Sequence, residues 1–193
     1  MCAQVILLTG PSGSGKTSLL RRVGAHRLRL DDFYRDGDEP GMPLLDGTFS
    51  GDEGSTRTEA MARIDWDHPA SWDADRAMDT IVQLCAEGSA KVPVYSIPDN
   101  ATVNWTTLDI GAAPAFAAEG LFAGELVERC RRANVLADAL ALRRPRVQTW
   151  WFRLRRDLVE RRKPPAVLLR RGLRLAREEP GRIRAWMAQG CRA

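Results

Sequence analysis

Eight consecutive residues carry the densest chemical signal in the chain. Gly10-Pro11-Ser12-Gly13-Ser14-Gly15-Lys16-Thr17 fits GxxxxGK[ST], the pattern of a phosphate-cradling P-loop (Walker A). Its glycines let the backbone wrap around an anion without Cβ clashes, and the amides that follow, through Ser18, point toward it. Lys16 is expected on the β- and γ-phosphates and Thr17 on a Mg²⁺ ion that offsets triphosphate charge. The implied ligands are ATP, or another nucleoside triphosphate, and Mg²⁺. Small-molecule kinases, GTPases, ATPases and motor domains share such a loop, so the acceptor has to be sought elsewhere.

Asp31-Asp32-Phe33-Tyr34-Arg35 is the next candidate. It follows a short strand candidate, and in open α/β sheets the carboxyl ends of the strands form the ligand crevice. Phosphoryl transfer to an alcohol needs a base for the hydroxyl proton, a role open to Asp31 or Asp32. Arg153, Arg156 and Arg161 stand three and five residues apart, which brings guanidinium groups onto overlapping helix faces. Such a group can stabilise the charge spread over a transferring phosphoryl.

These residues need strands and helices to hold them. Ala3–Thr9 is a short apolar run ending at a glycine and reads as a buried strand. The helix after the loop places Leu19, Leu20 and Val23 at helical spacing, with Gly24 as its stop. His26–Leu30 reads as a second strand, and Asp36–Glu59, crowded with Gly, Asp, Pro and Ser, as a flexible loop or hairpin on the acceptor side. Ser71 is the expected N-cap of a helix that puts Ala77, Met78, Ile81, Val82 and Cys85 on one face before Gly88. Val92–Ser96, Pro114–Glu119 and Arg146–Phe152 are further strand candidates. Helices are expected over about Leu121–Asn134 and around Arg182–Gln189. The alternation predicts a three-layer α/β fold with a central parallel sheet and an Arg-rich helical lid over about 153–180, within one domain over residues 1–193.

Composition agrees with a globular chain: 193 residues, 44% hydrophobic and 28% charged, with no apolar run long enough to cross a membrane. No leader is apparent, and a cytoplasmic location is expected. Cys2, Cys85, Cys130 and Cys191 are widely spaced with no CxxC pair, which favours reduced thiols over a zinc site. The net charge of +4 is uneven: from Arg143 onward 16 Lys+Arg face 4 Asp+Glu, a balance of +12, against −8 for the rest. That asymmetry suits a polyphosphate partner, and nucleic acid only secondarily.

Taken in order, GPSGSGKTSL, DDFYR, DWDHPASWD, VPVYS, AEGLF and RLRRDLVERR resemble the uridine kinase and phosphoribulokinase-like family of P-loop nucleoside kinases. The resemblance implies an ATP- and Mg²⁺-dependent kinase acting on the hydroxyl of a nucleoside or related metabolite. It makes Asp31 the catalytic base near the metal, Tyr34 a neighbour of the acceptor, Trp66 a contact of the base and Asp67 a partner of ribose hydroxyls. Tyr95 matches the PVY tyrosine, Glu119 stands near Mg²⁺ beside Thr17, and Arg153, Arg156 and Arg161 belong to the lid. The segment Tyr95-Ser-Ile-Pro-Asp-Asn100-Ala-Thr102 carries neither the His nor the Arg that help uridine kinases recognise the pyrimidine. An ATP-binding regulator without kinase activity, nucleic-acid binding through the basic C-terminal segment, and self-association remain open at this stage.

Overall fold

The computed structural model describes residues 2–11, 13–51, 61–143 and 181–192. Four parallel strands form the central sheet in the order β2-β5-β1-β6, with β1 Gln4–Thr9, β2 Arg27–Arg29, β5 Ala115–Glu119 and β6 Leu136–Ala141. Parallel pairing brings Thr9, Arg29, Glu119 and Ala141 to one edge. The chain leaves β1 for β2 on one side and later returns to β6 on the other. The crevice of such a sheet lies at this reversal, above β1.

Alternation along the strands sorts the core into two faces. Val5 and Leu7 of β1, with Phe116 and Ala118 of β5, pack with Ala77, Ile81 and Leu84 of helix α2 (Ala74–Glu87). Leu8 and Ala117 point the other way, onto Leu20 of helix α1 (Lys16–Arg22). Helix–sheet–helix is therefore the layer order, as the sequence pattern predicts.

Several elements differ from the sequence expectation. In α1 only Leu20 faces the core, while Leu19 and Val23 are 41% and 65% exposed: seven residues present too narrow a stripe to bury three. The cap of α2 is Asp73, whose carboxylate accepts from the Arg76 amide at 2.9 Å. Ser71 instead closes a 3₁₀ turn over Pro69–Ser71, its hydroxyl donating to the His68 carbonyl at 2.7 Å. On the same helix Val82 is 40% exposed, and Leu84 and Thr80 take the buried positions. The helix expected from Leu121 begins as a 3₁₀ turn, Ala123–Leu126, before α3 (Val127–Arg132).

Val92–Ser96 is the end of a longer strand, β3 (Ser89–Ser96), paired antiparallel with β4 (Ala101–Asp109) in a separate hairpin, not a strand of the central sheet. The expected flexible stretch is pinned over its described part, 36–51. Met42 is fully buried, its amide bonds Ser50 Oγ at 2.8 Å, and Leu44 bridges Ile64. At the C-terminal end a helix over 181–188, α4, seats Trp186 in the core, and Arg192 bridges Leu140 on the free edge of β6. The Arg146–Phe152 strand and the 153–180 lid lie outside the described residues. No helix among the described residues is long and apolar enough to cross a membrane.

Candidate active site

The loop after Gly10 leaves β1 at the crevice, and its glycines take positive φ. Gly13 and Gly15 have φ of 84° and 92°, a region closed to most side chains. A Cβ on Gly10 would meet the Leu142 carbonyl oxygen at 2.9 Å and Ser14 Oγ at 3.0 Å. Lys16 is 8% exposed and curls back, its Nζ donating to the carbonyls of Gly10 at 2.6 Å and Pro11 at 3.4 Å. Ser14 Oγ is buried with no hydrogen-bond partner among the described residues. A buried orphan hydroxyl and a buried ammonium in one loop, where Gly10 has no room for a Cβ, fit a triphosphate tail.

Thr17, in the first turn of α1, donates its hydroxyl to Glu119 Oε1 at 2.9 Å. Glu119, 5% exposed at the end of β5, also pairs with Arg27 Nε at 2.9 Å. A hydroxyl and a buried carboxylate set side by side next to the loop form an oxygen-donor pair of the kind Mg²⁺ uses. Asp31 stands across Gly120: its Oδ1 accepts the Leu121 amide at 3.0 Å. Gly120 is required there, because a Cβ would come within 2.8 Å of Leu30 Cβ and 2.9 Å of Asp31 Oδ1. Asp32 points elsewhere, toward Arg29 at 3.2 Å, and burial, only partly offset by that guanidinium, pushes its carboxyl up to about 6.

Beyond Asp31 the acceptor-side residues gather. Tyr34, Trp66 and Tyr95 form a triangle of rings with centroids 5.8 to 6.3 Å apart. Both tyrosine hydroxyls are spent on backbone carbonyls, Tyr34 on Trp66 at 3.1 Å and Tyr95 on Arg35 at 3.4 Å. Burial raises the Tyr95 hydroxyl well above the ordinary phenol range. Asp67 lies 3.9 Å from Arg182 of α4. Asn100 takes φ 49° in the turn between β3 and β4, its carbonyl accepting from Gly37, and Thr102 donates its amide to Asp36 at 2.7 Å. The departure from the pyrimidine-reading pattern thus coincides with the point where the hairpin docks on residues 36–37.

The structure brings together Gly10, Pro11, Gly13, Ser14, Gly15, Lys16, Thr17, Glu119 and Asp31 on one side, and Tyr34, Trp66 and Tyr95 on the other. Ser12, Arg153, Arg156 and Arg161 lie outside the described residues. Sequence reasoning missed Arg27 and Arg182. Arg27 was legible in principle, since Arg27-Leu28-Arg29 on a strand points two guanidiniums the same way. Arg182 is 115 positions from Asp67 and carries no local signal.

The model of the Phosphoribulokinase / Uridine kinase family matches residues 5–164. No match was found among curated protein sequences. Among solved structures, a candidate fructose transport system kinase from Silicibacter sp. TM1040 aligns over 100% of this chain and 88% of its own, at 16% identity and a TM-score of 0.59. A candidate uridine kinase from Bacillus stearothermophilus aligns over 78% and 76% of the two chains, at 19% identity and a TM-score of 0.48. The first of these likenesses is one of fold. With residues 5–164 matched, the chain belongs to the Phosphoribulokinase / Uridine kinase family, a family of ATP-using kinases.

Proposed function

We propose that the protein transfers the γ-phosphoryl group of ATP to a hydroxyl of a nucleoside or related small metabolite, within one kinase domain. One observation carries the reading: the Asp31 carboxylate lies across Gly120 from the Glu119–Thr17 pair, so a base and an oxygen-donor pair flank one crevice beside Lys16.

In this mechanism Lys16 exchanges the Gly10 and Pro11 carbonyls for β- and γ-phosphate oxygens, and the amides through Ser18 and the Ser14 hydroxyl complete the cradle. Thr17 and Glu119 are the residues that would hold Mg²⁺, with Asp31 near it; when bound, the ion supplies charge neutralisation at the phosphates. Asp31 keeps Oδ1 anchored on the Leu121 amide and receives the acceptor's hydroxyl proton on its carboxylate. Arg153 and Arg156 are assigned to the charge on the moving phosphoryl, and Arg161 to the acceptor, from the family pattern. Tyr34, Trp66 and Tyr95 offer ring faces and edges, and Asp67 is the group for vicinal hydroxyls.

Asn100 and Thr102 remove the usual pyrimidine contacts, so the acceptor panel extends past uridine to other nucleosides and to sugars, D-fructose included. The test is mass-spectrometric detection of a phosphorylated product from such a panel with γ-labelled ATP and Mg²⁺. A product formed by the wild type and absent with Asp31→Asn supports the reading. ATP binding with no product from any acceptor favours a nucleotide-dependent regulator instead.

A further inference from the structure

A cavity of about 230 Å³ lies between the free edge of β2 and the β3–β4 hairpin. Its polar wall includes Arg27, Arg29 and Asp32, and its apolar wall includes Val92, Val94 and Leu108. Alternation explains both walls. Leu28 is buried in the core, which turns Arg27 and Arg29 to the opposite side of β2. Val92 and Val94 share one face of β3, and the register Ala90↔Leu108 puts Leu108 on that face.

The guanidiniums are under-used. Arg27 has one ion pair, made by its solvent-sealed Nε with Glu119 at 2.9 Å. Arg29 has one ion pair, with Asp32. Each guanidinium carries five N–H donors in a planar fork matched to a carboxylate, more than its single ion pair uses. The two ion pairs already balance two positive charges with two negative ones, so a dianion entering here meets more repulsion from Asp32 and Glu119 than a monoanion does. Pro93 leaves β3 one donor short, which disfavours insertion of a peptide strand between the two edges.

We propose that this cavity binds a small monocarboxylate with a compact apolar body, its carboxylate on the Arg27–Arg29 forks and its body against Val92, Val94 and Leu108. Arg27 also faces Glu119 and through it Thr17, so occupancy of the cavity and of the nucleotide site are coupled, reciprocally in affinity. The coupling rests on the nucleotide reading above; the cavity does not.

Benzoate is the probe, titrated calorimetrically into the full chain with and without Mg²⁺ and a non-hydrolysable ATP analogue. Wild type is expected to bind benzoate with a Kd of about 1 mM or tighter, and benzyl alcohol and phenyl phosphate at least about tenfold more weakly. Arg29→Gln, at a half-exposed position, and Val94→Trp, which fills the cavity, should each weaken benzoate at least about tenfold, while Lys16→Ala leaves it unchanged. Absence of binding, binding indifferent to both cavity variants, or binding lost with Lys16→Ala overturns the site. A benzoate Kd unchanged by a nucleotide analogue that does bind overturns the coupling. An analogue that fails to bind at all counts against the nucleotide reading and leaves the benzoate result to decide the cavity by itself.

Discussion

At the scale of single residues, two neighbouring carboxylates with different surroundings divide the chemistry. Asp31 is exposed and anchored through one oxygen, whereas Asp32 is half-buried beside Arg29. Replacing Asp31 with Asn keeps its shape but removes the proton acceptor. Turnover is expected to fall at least about 100-fold, the usual contribution of a positioned general base, with nucleotide affinity within about twofold. Steady-state kinetics alongside calorimetry separates the two effects. Asp32 acts on stability. Burial raises its folded-state pKa from 3.8 to about 6, so the unfolded chain gives up the proton first as pH rises. Its contribution therefore favours the fold below about pH 4 and is lost as pH climbs through about 6. Asp32→Asn should accordingly melt higher than wild type at pH 7.5, with the gap closing near pH 4, as thermal denaturation at the two pH values would show. The site's acidic half was legible because DDFYR and AEGLF sit at strand ends, where a fixed spacing follows from the fold. The Arg27–Glu119 pair was not: it depends on β2 lying beside β5, a pairing across about 90 residues that no local pattern encodes.

At the scale of elements, the C-terminal helix shows how a distant segment is locked to the sheet. Gly124 makes room for Trp186: a Cβ there would lie 2.8 Å from Trp186 Cδ1 and 2.6 Å from Gln189 Oε1. Trp186, 6% exposed, fills the space so vacated, and Gln189 Nε2 bonds Glu125 at 2.8 Å. Trp186→Ala should cost about 3–5 kcal/mol, the range for emptying a large aromatic site, and Gly124→Ala should displace the helix. Urea titration gives the first figure. The second appears as a change in near-ultraviolet circular dichroism, since the indole loses its fixed surroundings. Elements with strong local signals, β1, the phosphate loop and α2, emerge where the sequence pattern puts them. Those without did not. Leu136–Ala141 reads LADALA, a run too poor in branched residues to announce a strand, and becomes β6 only because β1 offers it an edge. β4, with most of its residues exposed, has no buried face to write a period-two pattern into the sequence, and its pairing with β3 supplies the order instead.

Across the whole molecule, the four cysteines report on how its parts hold together. Cys2 is exposed, while Cys85, Cys130 and Cys191 are buried, and burial pushes the Cys85 and Cys130 thiols up to about 11 and about 12 and raises Cys191 as well. A thiol that is neutral and inaccessible reacts only after the structure around it opens. One equivalent is therefore expected to react at once with an aromatic disulfide reagent under native conditions, and three more after unfolding. The three buried thiols should not open together. All three belong to the main core; Cys85 and Cys130 enter it from α2 and α3, Cys130 Sγ being 3.7 Å from Met78 Sδ. Cys191 donates its amide to Trp186 O at 3.0 Å and sits beside Arg192, which accepts from Ala141 N at 2.6 Å, donates to Ala139 O at 2.8 Å and pairs with Asp138. This segment joins the sheet through a single bridge, whereas α2 and α3 pack along their length, so Cys191 should be modified ahead of the other two, and Trp186→Ala should widen that lead by loosening the same segment. Mass spectrometry of peptides from timed labelling gives the order directly. Simultaneous modification of all three would mean instead that α4 and the sheet open as one cooperative unit, with the bridge at Arg192 as strong as the core it borders.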